Sequence, residues 1–501
     1  MSEDLRISDH PHLKFNRGKK VKVTFDGRQL DAYENESLGA ALYASGVRIF
    51  NRSFKYHRPR GLHCMSGRCP NCMMRVNGVP SVRVCMEPAR DGTIVKSQNS
   101  YPNVTHDVYG LMDHLDFMFP IGFQYKKFIR PRFMWPIYER VIRKMAGVGI
   151  LPDENASVPS TYPELEIDRN VEVAVVGGGP AGLSAAISAA KVGVRVVLFD
   201  ENRYLGGHLG KDTHRFKDAG IYSELRGFEI AQKMQEVATA LRSLTIYPET
   251  TATGYYEGGI LTVNREMSFQ ELTPKATILA PGAYERTMLF DNNDLPGIFS
   301  ANGLQTLMHI HGIRPGKRAV VVSTDGNGST LAVQLVEAGV NVCAVLESEP
   351  NRDRSNDEAD KHEFEVLNSY AVKSAHGKDK VEKITAVKLD ETGGGVAGTE
   401  KDFACDTVCI SAGTNPAFDL LFLAGCEMKF NTEQDAFLPV RSKTMEGPPG
   451  IFAVGDVCRT KNVNDTILEG SIAGLSAALD SGLVDRQTEI TRDELVSKLG
   501  R

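Results

Sequence analysis

The chain has no run of 18 apolar residues in its 501, so no segment is expected to span a membrane. Its start, Met1-Ser2-Glu3-Asp4-Leu5, lacks the basic-then-apolar order of a signal peptide, and a cytoplasmic setting is expected. Neither sign of charge dominates. Lys and Arg number 58 against 63 Asp and Glu, a net charge of −5 that gives no reason to expect nucleic acid as a partner. There is no nucleophile elbow and no metal-hydrolase motif. Cys405 and Cys409 stand four apart and do not form a C-x-x-C redox pair, which argues against a disulfide reductase. Short tandem repeats are also missing. What remains is an ordinary globular composition, 42% hydrophobic and 24% charged, long enough for two to four domains.

Cysteine is the first positive signal. Four of the nine cysteines crowd into Cys64-x4-Cys69-x2-Cys72-x12-Cys85. In a chain without an export signal such crowding reads as a metal site. The C-x4-C-x2-C start matches the plant-type [2Fe–2S] arrangement, in which a tight loop supplies three thiolates and a nearby strand the fourth. Structural zinc usually takes two C-x2-C pairs, and only one is present. Around this loop, Val21–Phe25 alternates and runs into an Asp26-Gly27 turn, with a second strand over Gln29–Tyr33. Ser37 can cap a helix over Leu38–Ser45, and a further strand pair is expected at Met73–Val76 and Val82–Met86, turned at Asn77-Gly78. That order predicts a β-grasp fold. Arg48, Arg52, Lys55, His57, Arg58 and Arg60 precede the loop with no acid among them. They suit either charge balance for an anionic cluster or a docking face.

The second signal is Val171–Val176 leading into Gly177-Gly178-Gly179-Pro180-Ala181-Gly182, a G-x-G-x-x-G between a strand and a helix. Gly177 allows the tight turn, Gly179 close approach to a pyrophosphate, and Gly182 helix–strand packing. The N-terminal amides of the following helix would face the phosphates. The next strand ends at Asp200-Glu201, where a carboxylate can meet ribose hydroxyls. A second unit begins with the strand Arg318–Val322 and continues into Gly326-Asn327-Gly328, with Leu331 at the third glycine position and Glu347 after the next strand. A nicotinamide (NAD) site and a retained fold with a degraded site both fit this pattern.

Five segments are expected. These are a [2Fe–2S] domain over 1–98, a connector over 99–169, an FAD-binding part over 170–316, an NAD-binding-like domain over 317–403 and an FAD-binding return over 404–501. Residues 1–18 read as a loose arm. The connector holds Phe117, Phe119, Phe123, Tyr125, Phe128, Phe133, Trp135 and Tyr138 among the basic Lys126, Lys127, Arg130, Arg132, Arg140, Arg143 and Lys144. It is expected to be packed over a junction or a partner.

Gly206-Gly207, the run Ala276–Ala283 with Gly282, and Gly450–Asp456 with Gly455 resemble the later fingerprints of two-dinucleotide-binding flavoproteins. That resemblance implies an FAD ligand set of Gly177, Gly179, Pro180, Ala181, Gly182, Asp200, Glu201, Gly207, Gly282, Gly455 and Asp456. The set places Asp456 at the ribityl chain. Arg52-Ser53-Phe54-Lys55-Tyr56-His57-Arg58-Pro59-Arg60-Gly61, Gly122-Phe123-Gln124-Tyr125-Lys126 and Tyr138-Glu139-Arg140 are similar to the α subunit of heterotetrameric sarcosine oxidase. Opine oxidase and hydrogen cyanide synthase subunits are related to it. The sarcosine oxidase subunit usually lacks the four cysteines and carries a folate-handling domain beyond the length of this chain.

The resemblance implies an α/β two-dinucleotide-binding flavoprotein with an N-terminal β-grasp [2Fe–2S] domain, in complex with small accessory subunits and a D-amino-acid-oxidase-like β subunit. Its substrate would be a small amine or imino acid, and Cys64, Cys69, Cys72 and Cys85 would hold the cluster. The alternatives are a self-contained NAD(P)H-dependent reductase, a glycine-oxidising subunit of the hydrogen cyanide synthase kind and a non-catalytic scaffold.

Overall fold

The computed structural model of the protein describes residues 4–118, 122, 130–147, 149–156, 165–167, 171–266, 268–349, 359–460, 462–483 and 485–500. Phe119, Phe123, Gln124, Tyr125, Lys126, Lys127 and Phe128 lie outside the described residues. The chain forms two compact units. One takes Met1–Val158 and Thr287–Gly413, the other Pro159–Arg286 and Thr414–Arg501. Among the described residues no helix is long and apolar enough to cross a membrane.

The first unit opens with a five-stranded sheet in the order Arg28–Tyr33, Lys20–Phe25, Ile94–Lys96, Met73–Val76, Val79–Arg83. The hairpin turn has φ of 44° at Asp26 and 81° at Gly27, the two left-handed residues that a two-residue turn needs. Ser37 Oγ accepts the N–H of Ala40 and starts the helix Leu38–Ala44, all of it buried. This is the expected β-grasp. Two details differ. Asn77 and Gly78 turn the chain in two residues, so pairing resumes at once with Val79 opposite Val76, and Cys85 lies beyond the strand's end at Arg83. The short strand Ile94–Lys96, parallel to Lys20–Phe25, carried too little alternation to be read from sequence.

The N-terminal arm is not loose. The Ile7 N–H donates to Gly312 O at 2.7 Å and the Arg314 N–H to Leu5 O at 2.8 Å. Arg6 Nε and Arg17 Nη1 donate to the Glu36 carboxylate at 2.7 and 3.4 Å, and a buried carboxylate needs such partners.

The arm lies against a sheet of five parallel strands in the order Ile298–Ser300, Thr407–Ser411, Arg318–Ser323, Asn341–Glu347, Glu365–Asn368. The β-grasp fold and this sheet share one core: Leu38, Phe50 and Met74 cluster with Phe299, Leu304 and Leu335.

Where arm and sheet meet, burial pushes His311 down to about 4. Folding therefore favours the neutral ring. Its stabilisation is complete above the unfolded value of about 6.5 and is lost as pH falls toward 4, a cost of about 3 kcal/mol. Melting temperatures measured from pH 7 to 4 should fall more steeply for the native protein than for His311→Leu. Equal slopes would count against this.

The second unit is built on five parallel strands in the order Leu244–Tyr247, Val196–Phe199, Val173–Val176, Ala276–Leu279, Ile451–Ala453. The helices Pro180–Lys191 and Val463–Asp480 pack on each other over it. The chain leaves this unit after Ala283–Glu285 and re-enters at Thr414–Pro416, and these two strands pair antiparallel.

The connector's helix Trp135–Ala146 does not pack into this chain's own core: it buries no residue, and Phe117, Phe133 and Ile137 are exposed. Apolar composition does not by itself place a segment in this chain's own core.

Candidate cofactor sites

In the second unit, Gly177 has φ of 103°, and a Cβ there would stand 2.1 Å from Ala280 O. A Cβ on Gly182 would stand 1.8 Å from Gly177 O. These approaches bring the helix start against the strand. The face at Gly179 stays open, with only Gly207 Cα, at 3.9 Å, near a Cβ built there. No side chain caps the helix Pro180–Lys191, so the amides of its first turn, at Ala181 and Gly182, remain for an anion. Asp200 is buried. Its Oδ2 accepts the Gly178 N–H at 2.6 Å and its Oδ1 the Asn202 N–H at 2.7 Å, so it fixes the loop from below. Burial pushes its carboxyl up, against the pull of those two N–H groups. Glu201 follows at the strand's end, half-buried.

The later fingerprints meet this cradle. Gly207 faces Gly179, and a Cβ on Gly455 would stand 2.8 Å from Ala181 Cβ. Gly282 ends the crossover and its carbonyl accepts the Ala417 N–H at 3.0 Å. His208 Nδ1 lies 3.8 Å from Asp456 Oδ2, which joins the second and last fingerprints. An open glycine face, an uncapped helix start and an exposed Asp456 fit FAD.

Sequence reasoning missed the brace under Asp456. Arg441 donates to both oxygens of Glu469, at 2.8 and 3.1 Å, and to Ala453 O at 2.7 Å. Thr460 Oγ1 links Glu469 to Gly455 O. Glu469 is fully buried, and the two residues lie 28 apart in sequence, a separation that carries no motif. Arg441→Met should cost about 3–5 kcal/mol, because it strands a buried carboxylate. The readout is thermal flavin release at lower temperature, and unchanged release would contradict the assignment.

In the first unit the four cysteine sulfurs converge. Cys64 hydrogen-bonds to Cys69 and Cys85, and Cys85 to Cys72. Bonding to Cys69 pushes the Cys64 thiol down, and bonding to Cys85 does the same for Cys72. Their partners Cys69 and Cys85 are pushed up. A backbone group of Ser66 adds to the lowering at Cys64, while one of Asn71 only partly opposes the rise at Cys69. None of the four is in a disulfide. Among the described residues no three His, Cys, Asp or Glu side chains gather as ligands of a single metal ion. Cys64 joins Cys69 to Cys85, and Cys85 joins Cys72, so all four thiols form one connected set, and with the C-x4-C-x2-C spacing this suits a two-iron cluster.

The neighbouring basic run serves a short hairpin that pairs Asn51–Arg52 with Pro59–Arg60. Arg52 donates to Val104 O at 2.8 and 2.6 Å and to His57 O at 3.1 Å. His57 and Asp107 form a buried pair at 2.7 Å, and Arg58 pairs with Asp113 at 2.6 Å.

The loop rests on the parallel sheet. The Ser300 N–H donates to His63 O at 3.2 Å, and a Cβ on Gly303 would stand 2.1 Å from that same oxygen. Of the two readings that the second glycine pattern allowed, the geometry disfavours the NAD site. Four residues separate the strand end at Ser323 from the helix start at Gly328, against three in the first fingerprint. Counted from the helix, Asp325, Asn327 and Thr330 occupy the positions of Gly177, Gly179 and Gly182, while Leu331 sits in the core. Leu331 therefore does not hold the helix off. A Cβ on Gly328 would stand 2.4 Å from Glu347 Oε1, so that acid is turned onto the helix start. Both Asp325 oxygens lie 2.9 Å from Ser411 Oγ, and a carboxylate there opposes a pyrophosphate. NAD is not supported.

Residues 18–100 match the 2Fe-2S iron-sulfur cluster binding domain, and residues 171–482 match pyridine nucleotide-disulphide oxidoreductase. The chain is 29% identical over 490 residues to the alpha subunit of sarcosine oxidase from Rhizobium meliloti (strain 1021), covering 93% of this chain and 47% of that protein. It is 28% identical over 343 residues to the A subunit of opine oxidase from Agrobacterium tumefaciens (strain Ach5), covering 64% of this chain and 68% of that one. L-proline dehydrogenase from P. horikoshii shares the fold, with a TM-score of 0.69 at 22% identity over 99% of this chain and 79% of that one. The chain spans just under half the length of the sarcosine oxidase subunits it matches.

Proposed function

The chain belongs to the pyridine nucleotide-disulphide oxidoreductase family, and from that premise we propose that it is the electron-transferring FAD and [2Fe–2S] subunit of a heteromeric amine or imino-acid oxidoreductase. The observation that carries this reading is the four-cysteine loop on the same chain as a flavin cradle, beside a second nucleotide fold with Asp325 in its phosphate turn. A bound flavin accepts an electron pair and a cluster passes electrons singly. The residues here hold and insulate such groups. Gly177, Gly179 and the first helical turn would bind the pyrophosphate, Glu201 would face the ribose while the expected ribose ligand Asp200 instead holds the loop beneath, and Asp456 would face the ribityl chain. Cys64, Cys69, Cys72 and Cys85 would hold the cluster. Substrate oxidation is assigned to a D-amino-acid-oxidase-like partner subunit in the cytoplasm, and the similarity to sarcosine and opine oxidase subunits supports a C–N donor.

The test is anaerobic addition of sarcosine, proline, hydroxyproline or an opine to the complex purified with its partners. A reduced [2Fe–2S] signal in low-temperature EPR with one of these donors, and none with NADH, is the expected result. Reduction by NADH alone would sink the relay and favour a self-contained reductase.

A further inference from the structure

A cavity of about 380 Å³ in the first unit borders the cysteine loop. Cys69 reaches its wall, and Cys69 is less buried than Cys72 or Cys85. An electron leaving a cluster through this sulfur therefore enters the cavity first. The remaining wall combines the apolar Phe54, Pro70, Met288 and Ile410 with polar groups such as Asn51 and Asn293. In the same wall Arg60 is paired with Asp294 through one guanidinium nitrogen. Arginine carries five N–H donors, so the pair leaves donors for an uncharged carbonyl, while the Asp294 carboxylate repels an anionic ligand. Arg52 adds no anion site, because its donors go to Val104 O and His57 O. The hairpin bearing Phe54 is fixed by the buried His57–Asp107 pair, so the wall is formed in advance.

The geometry points to this cavity as a binding site for a quinone, a flat and uncharged ring whose carbonyl accepts from Arg60 while its faces meet Phe54 and Met288. Two electrons, passed singly by way of Cys69, and two protons from water at the cavity mouth convert the quinone to its hydroquinone. The electron source is the reduced cluster. The proposal rests on the relay reading for that donor alone.

The test uses the cluster-loaded complex and menadione as the probe. Equilibrium dialysis of the oxidised complex should give saturable binding of one menadione per chain. Met288→Trp, which fills the cavity, should weaken binding at least tenfold and leave the dithionite-reduced cluster's EPR signal intact. Phe54→Ala, at a position 43% exposed and so tolerant of change, should weaken it about three- to tenfold. Unsaturable uptake, equal affinity in both variants, or tighter binding of 2-naphthoate than of menadione would overturn the proposal. Dithionite loads the cluster without any amine, so a failed amine reduction test and a failed menadione test are separate results.

Discussion

Gly182→Ala should purify without its flavin, and FAD affinity should fall by roughly 100-fold or more, about 2.7 kcal/mol. The added methyl would occupy a point 1.8 Å from Gly177 O, well inside contact distance. The helix Pro180–Lys191 cannot retreat to make room. Its other side is packed on Val463–Asp480, where a Cβ on Gly470 would stand 2.2 Å from Ala181 O. The strain therefore falls on the glycine turn, and the turn is the phosphate site. The measurement is the visible flavin spectrum and an FAD titration of the deflavinated protein. The cluster signal should survive, because the cysteines lie in the other unit. A yellow Gly182→Ala protein with native FAD affinity would falsify the assignment of this turn.

The second large effect is expected at Gly303, which carries no cofactor ligand. Gly303→Ala places a methyl 2.1 Å from His63 O and 3.0 Å from Cys64 O. The loop must lift off the parallel sheet, and Cys64 moves with it. The four sulfurs would no longer meet, so cluster content measured by iron and sulfide analysis should fall several-fold while FAD stays bound. Cys72→Ser is the control, since it removes a ligand without moving the loop. If Gly303→Ala keeps full cluster content, the sheet does not support the loop. This role also gives a reason for a nucleotide-type fold whose turn does not suit a phosphate. Its strands and helices carry the floor of the cysteine loop, and Asp325 in that turn does not disturb this use.

Much of this was legible in order along the chain. The cysteine spacing, the Asp26-Gly27 turn, the Ser37 cap and the first glycine fingerprint are local, because each needs only a few consecutive residues to set a backbone conformation. The second fingerprint was also local, yet it left two readings open. Gly326-Asn327-Gly328 looks like a phosphate turn in sequence, and one extra residue before the helix puts Asp325 and Asn327 where glycines are required. Spacing from a helix start is a three-dimensional quantity that a glycine pattern only approximates.

By itself, then, the sequence determined the types of fold, the four cysteines and the glycine cradle, because short-range sterics and turn chemistry act between near neighbours. Tertiary structure alone decided the rest. It tied the arm down through Arg6, Arg17 and Glu36, joined the β-grasp core to the parallel sheet, braced Asp456 with Arg441 and Glu469, and opened the cavity beside Cys69. Each of these joins residues from distant parts of the chain, and burial of charge and close packing act on distance in space, which residue order does not encode.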